Sequence, residues 1–291
     1  MLLRRPKDPR RKRRRRPSYW FAEPSAGRSL ITRSVWLFLL VGLLAPDCGW
    51  AQVRPHRASY ILRLGAAANA PRIGTAVQDI TVDCKGWHIK RDVLSEIAFT
   101  PSLKVSIASK LDGEESLDGK SFRYHSVDVQ NGIERNTRGA VQRANGELRV
   151  EILSPSGPLH LVLPPPTLMP VAGISYLTSQ LLAGSALVQT PVFGAEASGA
   201  AFWVEVKEIN PESIRPLPPT IKPVSLPAQK FWAISATVAH ALEQAQKPLF
   251  LLRARIFESG VLDRLTIDTG VFTVTADLET LEMRKAPVCT E

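Results

Sequence analysis

The sequence predicts a mostly β protein of about a dozen strands, largely antiparallel, with one amphipathic helix set among them. Three observations lead there: tight-turn dipeptides at short intervals, period-2 alternation between them, and one segment of helical period.

The turns decide the pairing. Asp112-Gly113 and Asp118-Gly119 flank a short run. Asn131-Gly132 separates FRYHSVDVQ from IERNTRGAVQR, and Asn145-Gly146 separates that segment from ELRVEIL. Asn-Gly and Asp-Gly reach the positive φ angles of tight hairpins at little steric cost, so such links join antiparallel neighbours. Ser259-Gly260 and Thr269-Gly270 punctuate the C-terminal part in the same way. Side chains alternate between the turns. In VFTVTADL, Val271, Thr273, Thr275 and Asp277 fall on one face, and Phe272, Val274, Ala276 and Leu278 on the other. Phe202, Val204 and Val206 alternate with Trp203, Glu205 and Lys207.

The helix is predicted over about residues 167–184. Thr167 can cap its N-terminus, Pro170 suits the first turn and Gly184 can stop it. Val171, Ile174, Leu177, Leu181 and Leu182 recur at helical spacing, with Ser175, Thr178, Ser179 and Gln180 on the other side. Two placements stay open: a helix covering the open face of a sheet, or one partly filling a barrel with a pocket beside it. Residues 210–229 hold six prolines. Proline cannot donate to a strand ladder, so this stretch reads as a surface loop of polyproline-like character.

Charge places the chain in the cell. The net charge of +10 would suggest a nucleic-acid binder, but it is concentrated at the N-terminus. Residues 1–51 hold twelve Lys/Arg and three acids, leaving 25 and 24 in residues 52–291, a nearly neutral body. The basic run precedes Val35–Ala45, eleven apolar residues, and then Gly49-Trp50-Ala51. That is the order of a secretory signal peptide, with cleavage expected after Ala51; the apolar run is shorter than the ~20 residues of a membrane span. The alternatives are a basic nucleic-acid patch at Arg10–Arg16, a start site nearer Leu30, and a leader retained as an anchor. Acylation of Cys48 is disfavoured by Asp47, where such sites need a small residue. Residues 52–291 are expected to form a single domain without a transmembrane span or nucleic-acid partner.

Export bears on the cysteines, because oxidising compartments keep disulfides. Cys84 and Cys289 remain after cleavage. They either pair with each other, tying the last strand to an early one, or stay as unrelated buried thiols. They do not match zinc-ligand spacing.

Catalytic motifs are not found. His56, His88, His125, His160 and His240 form no HExxH, and GAEASG at 194–199 is not a nucleophile elbow. LDGEESLDG (111–119) gathers Asp112, Glu114, Glu115 and Asp118 but lacks the ligand alternation of a calcium loop. No catalytic, metal or cofactor residue is assigned. Trp87, Trp203 and Trp232 read as core.

An ordered set of short motifs then stands out: Pro55-His56-Arg57-Ala58-Ser59-Tyr60, Cys84-Lys85-Gly86-Trp87, Leu111-Asp112-Gly113, Ser121-Phe122-Arg123-Tyr124, Thr167-Leu168-Met169-Pro170, Pro191-Val192-Phe193-Gly194, Leu265–Phe272 and Cys289. The set resembles the EipB-type periplasmic cell-envelope integrity proteins of Gram-negative bacteria. The resemblance implies an antiparallel β-spiral, like an open barrel, with a helix inside, and a disulfide between Cys84 and Cys289. It also implies envelope maintenance in the periplasm without known catalysis. The expected role is therefore a non-enzymatic protein that binds a lipid-like ligand or an envelope protein partner. The alternatives are a hydrolase acting on lipid or glycan and a purely structural scaffold.

Overall fold

The computed structural model describes residues 53–98, 100, 104–195, 199–226, 229–241 and 248–289. The leader, including the expected cleavage site after Ala51, lies outside the described residues.

Among the described residues, fourteen strands form one antiparallel sheet, a little more than the dozen expected. The first meander comprises β1 (His56–Leu64), β2 (Arg72–Val82), β3 (Gly86–Ala98), β4 (Lys104–Ser116), β5 (Ser121–Gln130), β6 (Ile133–Ala144), β7 (Glu147–Ser154) and β8 (Gly157–Leu163). Helix α1 (Pro170–Leu182) follows. The second meander comprises β9 (Leu187–Gly194), β10 (Ala200–Glu208), β11 (Phe231–His240), β12 (Pro248–Phe257), β13 (Leu262–Asp268) and β14 (Thr273–Met283). The meanders join where β1 pairs with β14, from His56 opposite Met283 to Leu64 opposite Val274. The first and last strands therefore sit mid-sheet, and the edges are β8 and β9. Helix α1 is the link between those edges.

The Asn-Gly turns behave as predicted. Asn131 and Gly132 have φ of 51° and 81°, Asn145 and Gly146 of 54° and 80°, the left-handed pair a two-residue hairpin requires. Asp112-Gly113 does not turn. It lies inside β4, and a Cβ on Gly113 would stand 2.7 Å from two ring carbons of Phe122. Glycine is there to admit an aromatic ring, a use that looks identical to a turn signal in sequence.

Three apolar clusters form the core. One gathers the inner face of the first meander, including Ile80, Ile89, Phe122, Val141 and Val150, around Met169 and Val171 at the start of α1. A second joins Leu181 with Val188, Val206, Trp232 and Ile256 of the second meander. The helix thus bridges both halves. Strand β9 is packed on two sides. Val192 faces Gly173 of α1, while the ring of Phe193 meets Phe122 and Tyr124 of the first meander at 5.9 and 5.7 Å. An edge strand lying between helix and opposite wall is what makes the sheet a spiral rather than a closed barrel.

The third cluster lies at the seam and corrects the reading of the proline-rich segment. Ile214, Pro218 and Ile221 are buried, and Val224 and Leu226 pack with Tyr60, Phe257 and Leu278. Arg215 forms an ion pair with Asp277, which is wholly buried on β14. The segment is a strap across the seam, not a free loop. It explains why Thr275–Leu278 is buried on both faces despite its alternating pattern.

Candidate functional site

The site is built around the N-terminus of α1. The helix starts at Pro170 with Met169 in the cap position, and no side chain of its own segment caps it. Thr167, the expected cap, is buried three residues upstream, and its hydroxyl has no partner among the described residues. The cap comes from the sheet. The Glu115 carboxylate accepts hydrogen bonds from the N–H groups of Val171 (2.7 Å) and Ala172 (2.8 Å). These are donors that a helix leaves without intrahelical partners, and the negative charge lies at the positive end of the helix dipole. Burial nevertheless dominates: it raises the Glu115 pKa to about 7, although the two backbone hydrogen bonds pull the other way.

Glu115 stands on one rung with Trp87 of β3 and Phe122 of β5. The other three acids of LDGEESLDG diverge from it. Asp112 and Glu114 point outward, 3.7 Å from Lys90 and 3.1 Å from Arg123, and Asp118 sits in the β4–β5 turn beside Lys120 at 3.0 Å. Among the described residues no three His, Cys, Asp or Glu side chains converge as metal ligands.

Beside the exposed side of α1 runs a groove of about 830 Å³. Val53, Val82, Trp87, Leu117 and Tyr176 supply apolar surface; Ser175, Ser179, Arg54 and Glu258 supply polar groups. Its size falls in the range of small-molecule sites. Of the helix residues read as polar, Ser175 and Ser179 do face this groove. Thr178 does not: it is buried and donates its hydroxyl hydrogen to the Ile174 carbonyl at 3.0 Å. Of the tryptophans, Trp232 is core as expected, whereas Trp87 is only partly buried and forms groove wall.

A second hollow of about 620 Å³ lies on the other side of Trp87 and Glu115. Four of its charged or titratable side chains are mutually engaged, while Lys85 also lines it. His88 meets Asp83 at 2.9 Å, and Arg123 meets Glu114 at 3.1 Å. The hydrogen bond to His88, with those from the Lys85 and Gly86 N–H groups, lowers the Asp83 pKa to about 2.

The chain's tail forms one side of the groove. Arg284 is anchored, its N–H on the Pro55 carbonyl at 2.8 Å and its side chain 2.7 Å from Asp79. Residues 285–289 are exposed and belong to no strand, and Ala286 lines the groove. Cys289 then reaches disulfide distance of Cys84, with Cα atoms 5.6 Å apart. Cys84 lies in the β2–β3 turn and Cys289 lies beyond β14. The pair therefore fastens the tail beside the groove; it does not close the sheet, which β1 and β14 already join.

The architecture is a helix-filled, antiparallel β-spiral with a mixed apolar and polar groove along its helix. The chain belongs to the EipB-like family, whose model matches residues 49–285. Among solved structures it is similar to a crystal structure titled as a β-barrel-like protein of a domain of unknown function, DUF1849, from Brucella abortus. The TM-score is 0.66 at 18% identity, covering 81% of this chain and all of the other. That likeness shows the fold. No curated protein sequence matches the chain. No helix among the described residues is long and apolar enough to cross a membrane.

Proposed function

We propose that this protein is a non-enzymatic binding protein of the periplasm that supports cell-envelope integrity by holding an amphipathic, lipid-like ligand in the groove beside α1. The groove carries the reading. Apolar and aromatic walls offer burial at roughly 0.8 kcal/mol per CH₂, and hydroxyls and charges at the rim suit a polar head. The spiral interior is occupied by side chains of α1 and β9, so the ligand lies along the helix rather than inside the sheet. The secretory pattern of residues 1–51 and the disulfide-distance cysteines support a periplasmic location. Glu115 is committed to capping the helix, which favours binding over acid–base chemistry at that carboxylate.

Native mass spectrometry with solvent extraction, on protein recovered from the periplasm, tests this. A co-purifying lipid or lipopeptide is the expected result. Protein recovered free of any amphiphile, and unable to take one up, would turn the reading toward a scaffold. The exposed edge strand β8, with Leu159 and Val162 at its surface, would then be the first place to seek a protein partner.

A further inference from the structure

Resting on the groove as the binding site, we infer that its ligand carries a zwitterionic headgroup, an anionic phosphate and an ammonium together, as in an ethanolamine glycerophospholipid. Among the described residues four charged side chains line the groove, and two are already satisfied. Glu115 has an oxygen on each of two helix N–H groups. Asp118 is paired with Lys120 and accepts the Ser116 hydroxyl at 2.7 Å. Arg54 and Glu258 remain, and among the described residues neither side chain has an ion-pair or hydrogen-bond partner. They are neighbours, because the Arg54 N–H donates to the carbonyl of Ser259 at 3.0 Å. Yet they do not close on each other as an ion pair.

In the adjacent hollow Asp83, His88, Glu114 and Arg123 pair off among themselves, and among the described residues the remaining cation, Lys85, has no carboxylate held open beside it, as Glu115 is taken by the helix. Two opposite charges kept apart in one groove match a ligand bearing the complementary two. Arg54 suits the phosphate, where guanidinium donors fit a tetrahedral anion. Glu258 suits the ammonium, and the rings of Trp87 and Tyr176 in the same groove favour a cation near their faces. An anionic headgroup would leave Glu258 unpaired against it, and an uncharged one would leave both unused.

The test is calorimetric titration of the full chain, purified free of lipid, with three single-chain amphiphiles below their micellar concentrations. These are lysophosphatidylethanolamine, lysophosphatidylglycerol and monoacylglycerol of equal chain length, with soluble phosphoethanolamine as a fourth probe. The ethanolamine lipid is expected to bind tightest. Glu258→Gln is expected to remove that preference, by about tenfold, and leave the glycerol phospholipid unchanged. Arg54→Gln is expected to weaken both phospholipids by about tenfold and spare monoacylglycerol, which also shows the variant folded. Phosphoethanolamine alone is expected to bind far more weakly than its lipid. Equal binding of all three lipids, indifferent to either variant, would overturn the headgroup assignment while keeping the groove. Phosphoethanolamine binding as tightly as its lipid would overturn the lipid source. Failure of every amphiphile to bind would overturn the groove reading itself.

Discussion

Among the described residues, Asp277 and Glu115 are carboxylates buried in opposite ways. Asp277, on β14 under the strap, faces the guanidinium of Arg215, a full counter-charge supplied from a segment distant in sequence. Glu115, at the groove, faces only backbone N–H groups of α1. A guanidinium supplies a full opposing charge, so removing either member of that pair strands the other. Two peptide dipoles offset less of the burial of Glu115, and its proton affinity rises. The seam is thus locked by charge, and the groove end of the helix is held by a contact that titrates.

The largest expected effect is at the seam. Asp277→Ala leaves Arg215 buried without its partner and should cost about 3–5 kcal/mol in urea unfolding. Adding Arg215→Met should recover much of that loss. A double variant no more stable than the single one would show that the strap is not held by this pair.

At the groove the effect depends on pH. The Glu115 carboxyl titrates near 7 in the folded chain against an ordinary 4.5, so the folded state binds more protons between those values. Stability should therefore fall as pH rises from about 4.5 to about 7, by about 3 kcal/mol in all, and level off above. Glu115→Gln should flatten that part of the profile, as read by thermal unfolding across the pH series.

The cysteines come next. A cross-link spanning 205 residues restricts the unfolded chain by about 5 kcal/mol in the chain-entropy model, an upper figure of which disulfides typically deliver about 2–4. Cys84→Ser should thus cost about 3 kcal/mol while leaving the sheet intact by circular dichroism. Two free thiols in periplasm-derived protein, found by alkylation and mass, would contradict the pairing. Smaller again is Gly113→Ala, whose added methyl meets the Phe122 ring and should cost about 1–3 kcal/mol.

The same comparison shows what the sequence discloses. The first meander is legible because its hairpins are short and its inner face is apolar: Asn131-Gly132 and Asn145-Gly146 turn where they read as turns. The bounds of α1 were readable to within a few residues, with Pro170 and Gly184 marking them. What escaped depends on partners far along the chain. Glu115 looked like one member of an acidic cluster, since nothing local says that α1 will bring its N-terminus there 56 residues later. Asp277 could be placed only on a strand face with Thr273 and Thr275, since its cover, Arg215, lies in a stretch whose prolines suggest a surface loop. The residues alone left Cys84 and Cys289 either paired or as separate thiols, and the resemblance implied the pair; where it would act was not legible, because sequence could not show that β14 ends before Cys289 and is already zipped to β1.

The central claim is that the groove beside α1 holds an amphiphile. The most direct measurement compares lipid extracted from native protein with lipid extracted from Ser175→Trp, which fills the groove from the helix side without touching the core. A stoichiometric amphiphile on the native chain, lost in the variant at unchanged thermal stability, is the predicted result. Equal amounts on both, or none on either, would contradict it.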